Sequence, residues 1–302
     1  MHAPVEKAMG KRPTLQPSSA IGPAVRAVGR HILTHARAAI LDPERSKEDA
    51  VHQFRRAMKE WRALMRLMEP FIPDAPRWRQ DARNHARSLG HARDGQAALN
   101  AFDSLIDKGM VLSERTTGTI RDRIEALRGS EEAAVLTLAL RDAIAAWIDT
   151  AEAAIELWPL DPFDFSSIAG QMAASYRSAR KRLPADWSAA SAEDLHDLRR
   201  RVVDLRYQMA LIEPLWPRFG RMWIEEAERL RDRLGRCQDI EVLKRLTGLH
   251  QPLAHWRSRL TPACADRSAE LTQRAARIAA RLFSEKPKAF RQRLETLWEH
   301  GR

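Results

Sequence analysis

Two segments of the chain repeat one another, and both have the apolar spacing of an amphipathic α-helix. Residues 51–62 read VHQFRRAMKEWR, and residues 195–206 read LHDLRRRVVDLR. The alignment keeps one histidine and three arginines in register: His52/His196, Arg55/Arg199, Arg56/Arg200 and Arg62/Arg206. Each segment runs on to a proline at the same distance, Pro70 or Pro214. The repeat predicts two related half-molecules that each present the same basic helix face.

A helical projection at about 100° per residue separates cations from apolar residues in both segments. The two basic stripes are His52, Arg55, Arg56, Lys59, Arg62 and Arg66, and His196, Arg199, Arg200 and Arg206. The opposite faces carry Phe54, Met58, Trp61, Met65 and Met68, and Leu198, Val202, Leu205, Met209 and Ile212. Glu60, Asp197 and Asp204 are predicted to lie at the flanks of the stripes. A solvated face is the alternative for either helix alone, but it does not require the same cations twice.

In the rest of the chain, too, apolar residues recur with the spacing of a helix. The full sequence has only 13 glycines, and most of its 16 prolines fall at or near the ends of predicted helices. The sequence therefore predicts an all-α fold, an internally duplicated helical bundle whose two pseudo-symmetric halves surround a basic groove or pore. Ser46 and Ser191 are candidate N-caps of the two basic helices. The predicted helices are about 22–41, 48–69, 76–107, 114–128, 131–158, 164–183, 192–213, 219–248, 264–284 and 287–300.

We predict one domain with a short leading segment. Residues 1–21 are polar and proline-containing, which favours disorder, and residues 22–302 form the helical domain. Its halves span about 22–158 and 164–302, joined at the proline-rich stretch that follows Trp158. No stretch reads as a signal peptide or as a membrane span, so we expect a cytoplasmic protein without membrane insertion.

The charge balance predicts a polyanionic partner. Lys and Arg number 51 against 40 Asp and Glu, which gives a formal net charge of +11. Further cations recur near the basic helices and are candidate secondary contacts: Arg26, Arg30, Arg83, Arg87, Arg177, Arg180, Lys181, Arg229 and Arg233.

Catalysis and metal binding have little support in the sequence. No glycine-rich phosphate loop or nucleophile elbow is present, and the two histidines of the repeat lack the spacing of metal ligands. We therefore predict a non-enzymatic protein with no metal and no cofactor. Single-stranded nucleic acid remains open as a ligand, and the oligomeric state is not predicted.

The repeated His-x-x-Arg-Arg pattern resembles that of the CHAD domain family (conserved histidine α-helical domain). Each basic helix is followed by a Leu-Gly-x-x-x-Asp segment, at 89–94 and at 234–239, and residues 286–290 also resemble the family. One departure is Val203, where the family often has a lysine. The resemblance covers the chain from about residue 22 to the end.

The resemblance implies a ligand, inorganic polyphosphate, bound without catalysis. It implies that the arginines and Lys59 of the two stripes contact phosphate, and that His52 and His196 donate hydrogen bonds to it or orient an arginine. Localisation to polyphosphate granules would be consistent with this function. Two alternatives stay open: a general polyanion or nucleic-acid binder, and a regulatory or scaffolding partner of a phosphate-metabolising enzyme.

Overall fold

The computed structural model describes residues 12–89, 94–131 and 136–301. Across these residues the chain is helical, as predicted, with no strand. Two short 3₁₀ turns, Glu213–Leu215 and Ala254–Trp256, precede α9 and α10. The α-helices are α1 (Ile21–Leu41), α2 (Lys47–Leu67), α3 (Ala75–Ser88), α4 (Asp94–Ile106), α5 (Glu114–Glu131), α6 (Leu138–Glu156), α7 (Phe165–Arg180), α8 (Ala192–Leu211), α9 (Pro217–Arg245), α10 (Arg257–Leu282) and α11 (Pro287–His300).

The apolar faces predicted for α2 and α8 form the middle of the core. Every residue named for these two faces is buried, from Phe54 on α2 to Ile212 just beyond α8. Trp61 is fully buried and packs against Trp147 and Trp158, with ring centroids 6.3 and 5.9 Å away. Burial of these faces turns the polar sides of both helices outward, which fixes where the basic stripes can lie.

The two basic helices begin at the predicted caps. Ser46 accepts a hydrogen bond from the backbone N–H of Asp49 at 3.2 Å. Ser191 and Asp194 form a reciprocal capping box at the start of α8. Such caps satisfy backbone donors that have no partner within the helix, and each typically contributes about 1 kcal/mol. The first turn of each basic helix is thus held in a defined position.

α2 and α8 lie side by side. The Gln208 side chain of α8 donates to the backbone oxygen of Ala63 in α2 at 3.2 Å, and Arg66 pairs with Asp204 at 2.7 Å. α1 and α3 pack on α2, whereas α7 and α9 pack on α8. The two basic helices are therefore adjacent, and the duplication with its pseudo-twofold stays a prediction.

The structure describes part of the leading segment. Residues 1–11 lie outside the described part of the chain, but residues 12–20 pack against the helices. Leu15 is fully buried, and its N–H donates to the backbone oxygen of Leu211 at 2.7 Å. Arg12 pairs with Glu60 of α2. One apolar side chain and one ion pair thus hold this otherwise polar stretch against the helices, and the domain bounds stay a prediction.

Three predicted helices also have different bounds. The one predicted at 131–158 runs from Leu138 to Glu156. The described parts of 76–107 are two helices, α3 and α4, and residues 90–93 between them lie outside the described residues. The helix predicted at 264–284 begins earlier, at Arg257, with Pro262 inside its second turn. As the sixth residue of α10, Pro262 removes one backbone hydrogen bond of the helix, and the helix nevertheless continues through it.

Candidate functional site

Arginines from α2, α3 and α8 converge with one that follows α7. Burial lowers the pKa of Arg62, Arg83 and Arg201 most, and the charges of neighbouring guanidinium groups lower it further, so these groups lie close to one another. We call this set the central arginine cluster: Arg62, Arg66, Arg83, Arg87, Arg182, Arg200 and Arg201. Like charges held this close repel one another, so the cluster attracts an anion.

Arg62 joins α2 to the other two helices of the cluster. Burial lowers its pKa most, and the charges of Arg200 on α8 and Arg83 on α3 lower it further, whereas Asp204 acts in the opposite direction. Its Nε is buried without a hydrogen-bond partner among the described residues. A desolvated donor with no acceptor costs free energy until an acceptor arrives. This donor is available to an incoming oxyanion.

Arg201 has the most perturbed guanidinium of the cluster. Burial, followed by repulsion from Arg66 and Arg182, lowers its pKa to about 10. Like Arg62 and Arg83, it forms no ion pair with any residue that the structure describes. These three guanidinium groups are therefore not neutralised by a direct carboxylate contact.

Asp204 is the carboxylate within the cluster. Only 8% of the residue is exposed, and its Oδ2 lies 2.7 Å from Nε of Arg66. Burial raises the pKa of Asp204, and the nearby charges of Arg66, Arg62 and Arg201 act in the opposite direction. The sequence prediction that Asp204 lies at the flank of the stripe was wrong. The residue is an internal counter-ion, and one carboxylate cannot neutralise the three arginines around it.

The N-terminal part of the first stripe lies beside the central arginine cluster and does not belong to it. Arg55 donates to the backbone oxygen of Ala86 on α3 at 3.1 Å. Arg56 is exposed and lies near His35 and Tyr207, on another side of α2. Both His52, in the second turn of α2, and Lys59 are exposed. Only Arg62 and Arg66 of this stripe belong to the convergent set.

The second stripe divides in the same way. Gln238 of α9 contacts both Arg199, at 3.1 Å, and Nδ1 of His196, at 2.5 Å. Arg206 lies 3.7 Å from Glu228, and its guanidinium stacks over the ring of Tyr207 at 4.4 Å. Arg200 joins the central arginine cluster, although it also contacts Asp197 at 3.3 Å.

The secondary cations fall into three groups. Arg83 and Arg87 belong to the central arginine cluster. Arg26 and Arg30 are ion-paired along α1 and Arg229 is paired with Glu226, so these three are already neutralised. The others are placed at the end of α7 or on the far side of α9: Arg177, Arg180 and Lys181, and Arg233.

Sequence reasoning missed two cations of the cluster. Arg201 aligns with Ala57, which is 5% exposed, so the repeat assigned that position to the apolar side. A signal was present, because residues 199–201 are three consecutive arginines. Arg182 directly follows Arg180 and Lys181, which were predicted as secondary contacts, and no pattern in the sequence marked Arg182 as a further contact.

The chemistry of the cluster suits oxyanions. Guanidinium groups donate pairs of hydrogen bonds whose geometry matches phosphoryl oxygens. No group of three metal-ligating side chains occurs in the described residues. No helix in the described ranges is both long and apolar enough to cross a membrane.

Comparison with known proteins identifies the fold and the family of the chain. The sequence model of the CHAD domain family matches residues 24–248. A crystal structure of the CHAD domain from the plant Ricinus communis superposes with a TM-score of 0.59, at 20% identity, over 98% of this chain and 97% of that chain. At that identity the likeness shows the fold alone, and the comparison with curated proteins found no match. Because the family match covers most of its length, the chain belongs to the CHAD domain family.

Proposed function

We propose that this protein binds inorganic polyphosphate without catalysis, and that the central arginine cluster is the main binding site. The observation that carries the proposal is the set of guanidinium groups on three packed helices, of which Arg62, Arg83 and Arg201 form no ion pair with a carboxylate of any described residue. Membership of the CHAD domain family supports the same class of ligand.

A polyphosphate chain suits this arrangement physically. It carries about one negative charge per phosphate, and it is thin and flexible enough to follow a line of cations between helices. Guanidinium groups on rigid helices lose little freedom when they bind. Release of counterions from the polymer adds a favourable term, which makes the affinity depend on salt, as it does for nucleic acids.

The residues divide into contacts and supports. Arg62, Arg83 and Arg201 would contact phosphate directly, while Asp204 holds Arg66 in place. The remaining cations of the two stripes would extend the path of the polymer beyond the cluster: His52, Arg55, Arg56, Lys59, His196, Arg199 and Arg206. Binding of this kind would let the protein sit on polyphosphate granules in the cytoplasm, or present polyphosphate to a phosphate-metabolising enzyme.

The test is a titration of long-chain polyphosphate at near-physiological salt. Duplex and single-stranded DNA, at equal phosphate concentration, serve as competitors. The variant R62Q/R83Q/R201Q removes the three guanidinium groups that form no ion pair within the described ranges. Its affinity should fall at least about 100-fold, because each hydrogen bond to a charged group contributes about 1.5–3 kcal/mol.

A matched control removes the same charge elsewhere. The variant R26Q/R30Q/R37Q takes three arginines from α1 that are already ion-paired, and its affinity should stay within about threefold of the wild type. Equal losses in both variants would mean that net charge, not the cluster, binds the polymer. Equal competition by DNA would make the protein a general polyanion binder.

A further inference from the structure

A second group of arginines lies where α9 and α10 pack together near the end of α4. Arg233 is surrounded by three other guanidinium groups, and these lower its pKa in addition to the larger effect of burial. We call the set the α9–α10 arginine cluster: Arg233, Arg236, Arg267 and Arg274. Arg233 is one of the cations that the sequence predicted as secondary contacts of the first site.

The positive charge of this cluster is only partly neutralised. Glu270 contacts Lys108 at 3.2 Å and Arg274 at 2.6 Å, and it also pairs with Arg267. One carboxylate therefore serves three cations. Arg233 and Arg236 form no ion pair with a described residue. The neighbouring Asp232 is paired instead with Arg231, at 2.6 Å.

One arginine of the α9–α10 arginine cluster is buried and held in position by a hydrogen bond. The Arg267 side chain is only 6% exposed, and its Nε donates to the hydroxyl of Ser104 on α4 at 2.9 Å. Next to it, Nε of Arg233 is buried and has no hydrogen-bond partner in the described part of the chain. A rigid buried guanidinium beside an unpartnered one is an arrangement that an oxyanion would stabilise.

The two clusters lie on different sides of α9. Arg231 lies near Tyr207 of α8, on the side of α9 that faces the basic helices. Arg233 follows two residues later, which places it about 200° around the helix at about 100° per residue. An anion at Arg233 is therefore separated from the central arginine cluster by the body of α9 and α8.

We propose that the α9–α10 arginine cluster is a second polyphosphate-binding site, so that one molecule can hold two separate segments of polymer. The inference rests on the proposed function of the first site. Two sites on different faces allow one protein to bridge two chains, and many proteins on long chains then form a network. The second site therefore gives the protein a polymer-condensing activity that a single groove does not provide.

The experiment separates the two sites with a ligand too short to reach both. Tripolyphosphate is titrated calorimetrically into the wild type, into R62Q/R83Q/R201Q and into R233Q/R236Q. The matched control is R257Q/R259Q, which removes two exposed α10 arginines that form no ion pair within the described chain. We expect two equivalents for the wild type and for this control, and one for each of the other two variants.

A second measurement tests the bridging directly. Light scattering on mixing with long-chain polyphosphate should fall at least about tenfold in R233Q/R236Q, because bridging needs both sites at once. One equivalent in the wild type, lost in R62Q/R83Q/R201Q and unchanged in R233Q/R236Q, would overturn this inference and leave the proposed function intact. Binding lost only in R233Q/R236Q would instead overturn the proposed function and retain the α9–α10 site.

Discussion

The arginines of α1 and those of the central arginine cluster are the same residue type on helices of the same bundle, yet their surroundings are opposite. On α1, Arg26 pairs with Asp161 at 3.1 Å and also donates to the backbone oxygen of Trp158 at 2.6 Å. Arg37 contacts both Asp149 and Glu152, at 2.6 and 2.8 Å. In the cluster, several guanidinium groups meet around a single buried carboxylate.

The two regions differ in pairing rather than in charge, and we propose that this difference decides which arginines bind a ligand. Burial opposes the charge on Arg37, but hydrogen bonds to Asp149 and Glu152 still raise its pKa. Arg201 is also partly buried, but its nearest charged neighbours are mostly arginines, and its pKa is lowered. Arg37 joins α1 to α6 through its two ion pairs, whereas we propose that Arg201 binds an anion.

The largest expected effect comes from removing the internal counter-ion. Asp204→Asn leaves Arg66, Arg62 and Arg201 without their shared negative charge. Loss of one partner of a buried pair costs about 3–5 kcal/mol, so the free energy of unfolding without ligand should fall by about that amount. Polyphosphate should then raise the melting temperature more in this variant than in the wild type.

Asp197→Asn is the control for this prediction. Asp197 contacts Arg200 at 3.3 Å, but its side chain is 48% exposed. An exposed pair contributes about 0–1 kcal/mol, so the melting temperature should change little. Equal destabilisation by the two substitutions would contradict the assignment of Asp204 as the organising carboxylate.

The next effect separates charge from geometry. Replacing Arg62, Arg83 and Arg201 by lysine keeps three positive charges but removes the planar forks that pair with phosphoryl oxygens. We expect the affinity for polyphosphate, measured by titration, to fall about tenfold. Full affinity in the lysine variant would show that the site recognises charge alone.

A smaller effect is expected on the α1 side. Arg37→Gln should lower the free energy of unfolding by up to about 1 kcal/mol, because it breaks two partly exposed ion pairs. Chemical denaturation measures this change, and a polyphosphate titration of the same variant should show unaltered affinity. A weakened affinity would place α1 in the binding surface and remove the contrast between the two regions.

The smallest effect is a dependence of stability on pH that also belongs to α1. Burial, followed by the charges of His35 and Arg12, lowers the pKa of His31 to about 4, whereas an unfolded histidine has a pKa of about 6.5. The unfolded chain therefore binds more protons between these values, and stability is lost as the pH falls from about 6.5 toward 4.

Thermal melts between pH 7 and pH 5 test this dependence. We expect the melting temperature to fall by about 1–2 °C, the change that about 1 kcal/mol produces in a chain of this size. His31→Gln should flatten the curve. An unchanged slope in that variant would assign the pH dependence to other groups.

The sequence predicted the helices and their buried faces well, because apolar spacing is a local property. Phe54, Trp61 and Leu205 are buried as the projection required. The caps at Ser46 and Ser191 were equally local and are confirmed.

The site was predicted only in part, because convergence depends on the partners of each side chain. Two cations on one helix face can turn to different neighbours: Arg62 joins the central arginine cluster, whereas Arg55 hydrogen-bonds to α3. No pattern along the chain shows that Asp204 lies among arginines of both helices, or that Arg26 meets Asp161 across the fold.

The buried Leu15 bears on where this folding unit ends. The family match begins at residue 24 and ends at 248, but Leu15 closes the core beside α8 and Phe290 of α11 stacks on Tyr176 at 4.3 Å. A version trimmed to the matched residues would expose apolar surface at both ends. Its tendency to aggregate would then be a product of the trimming, so binding experiments need the longer chain.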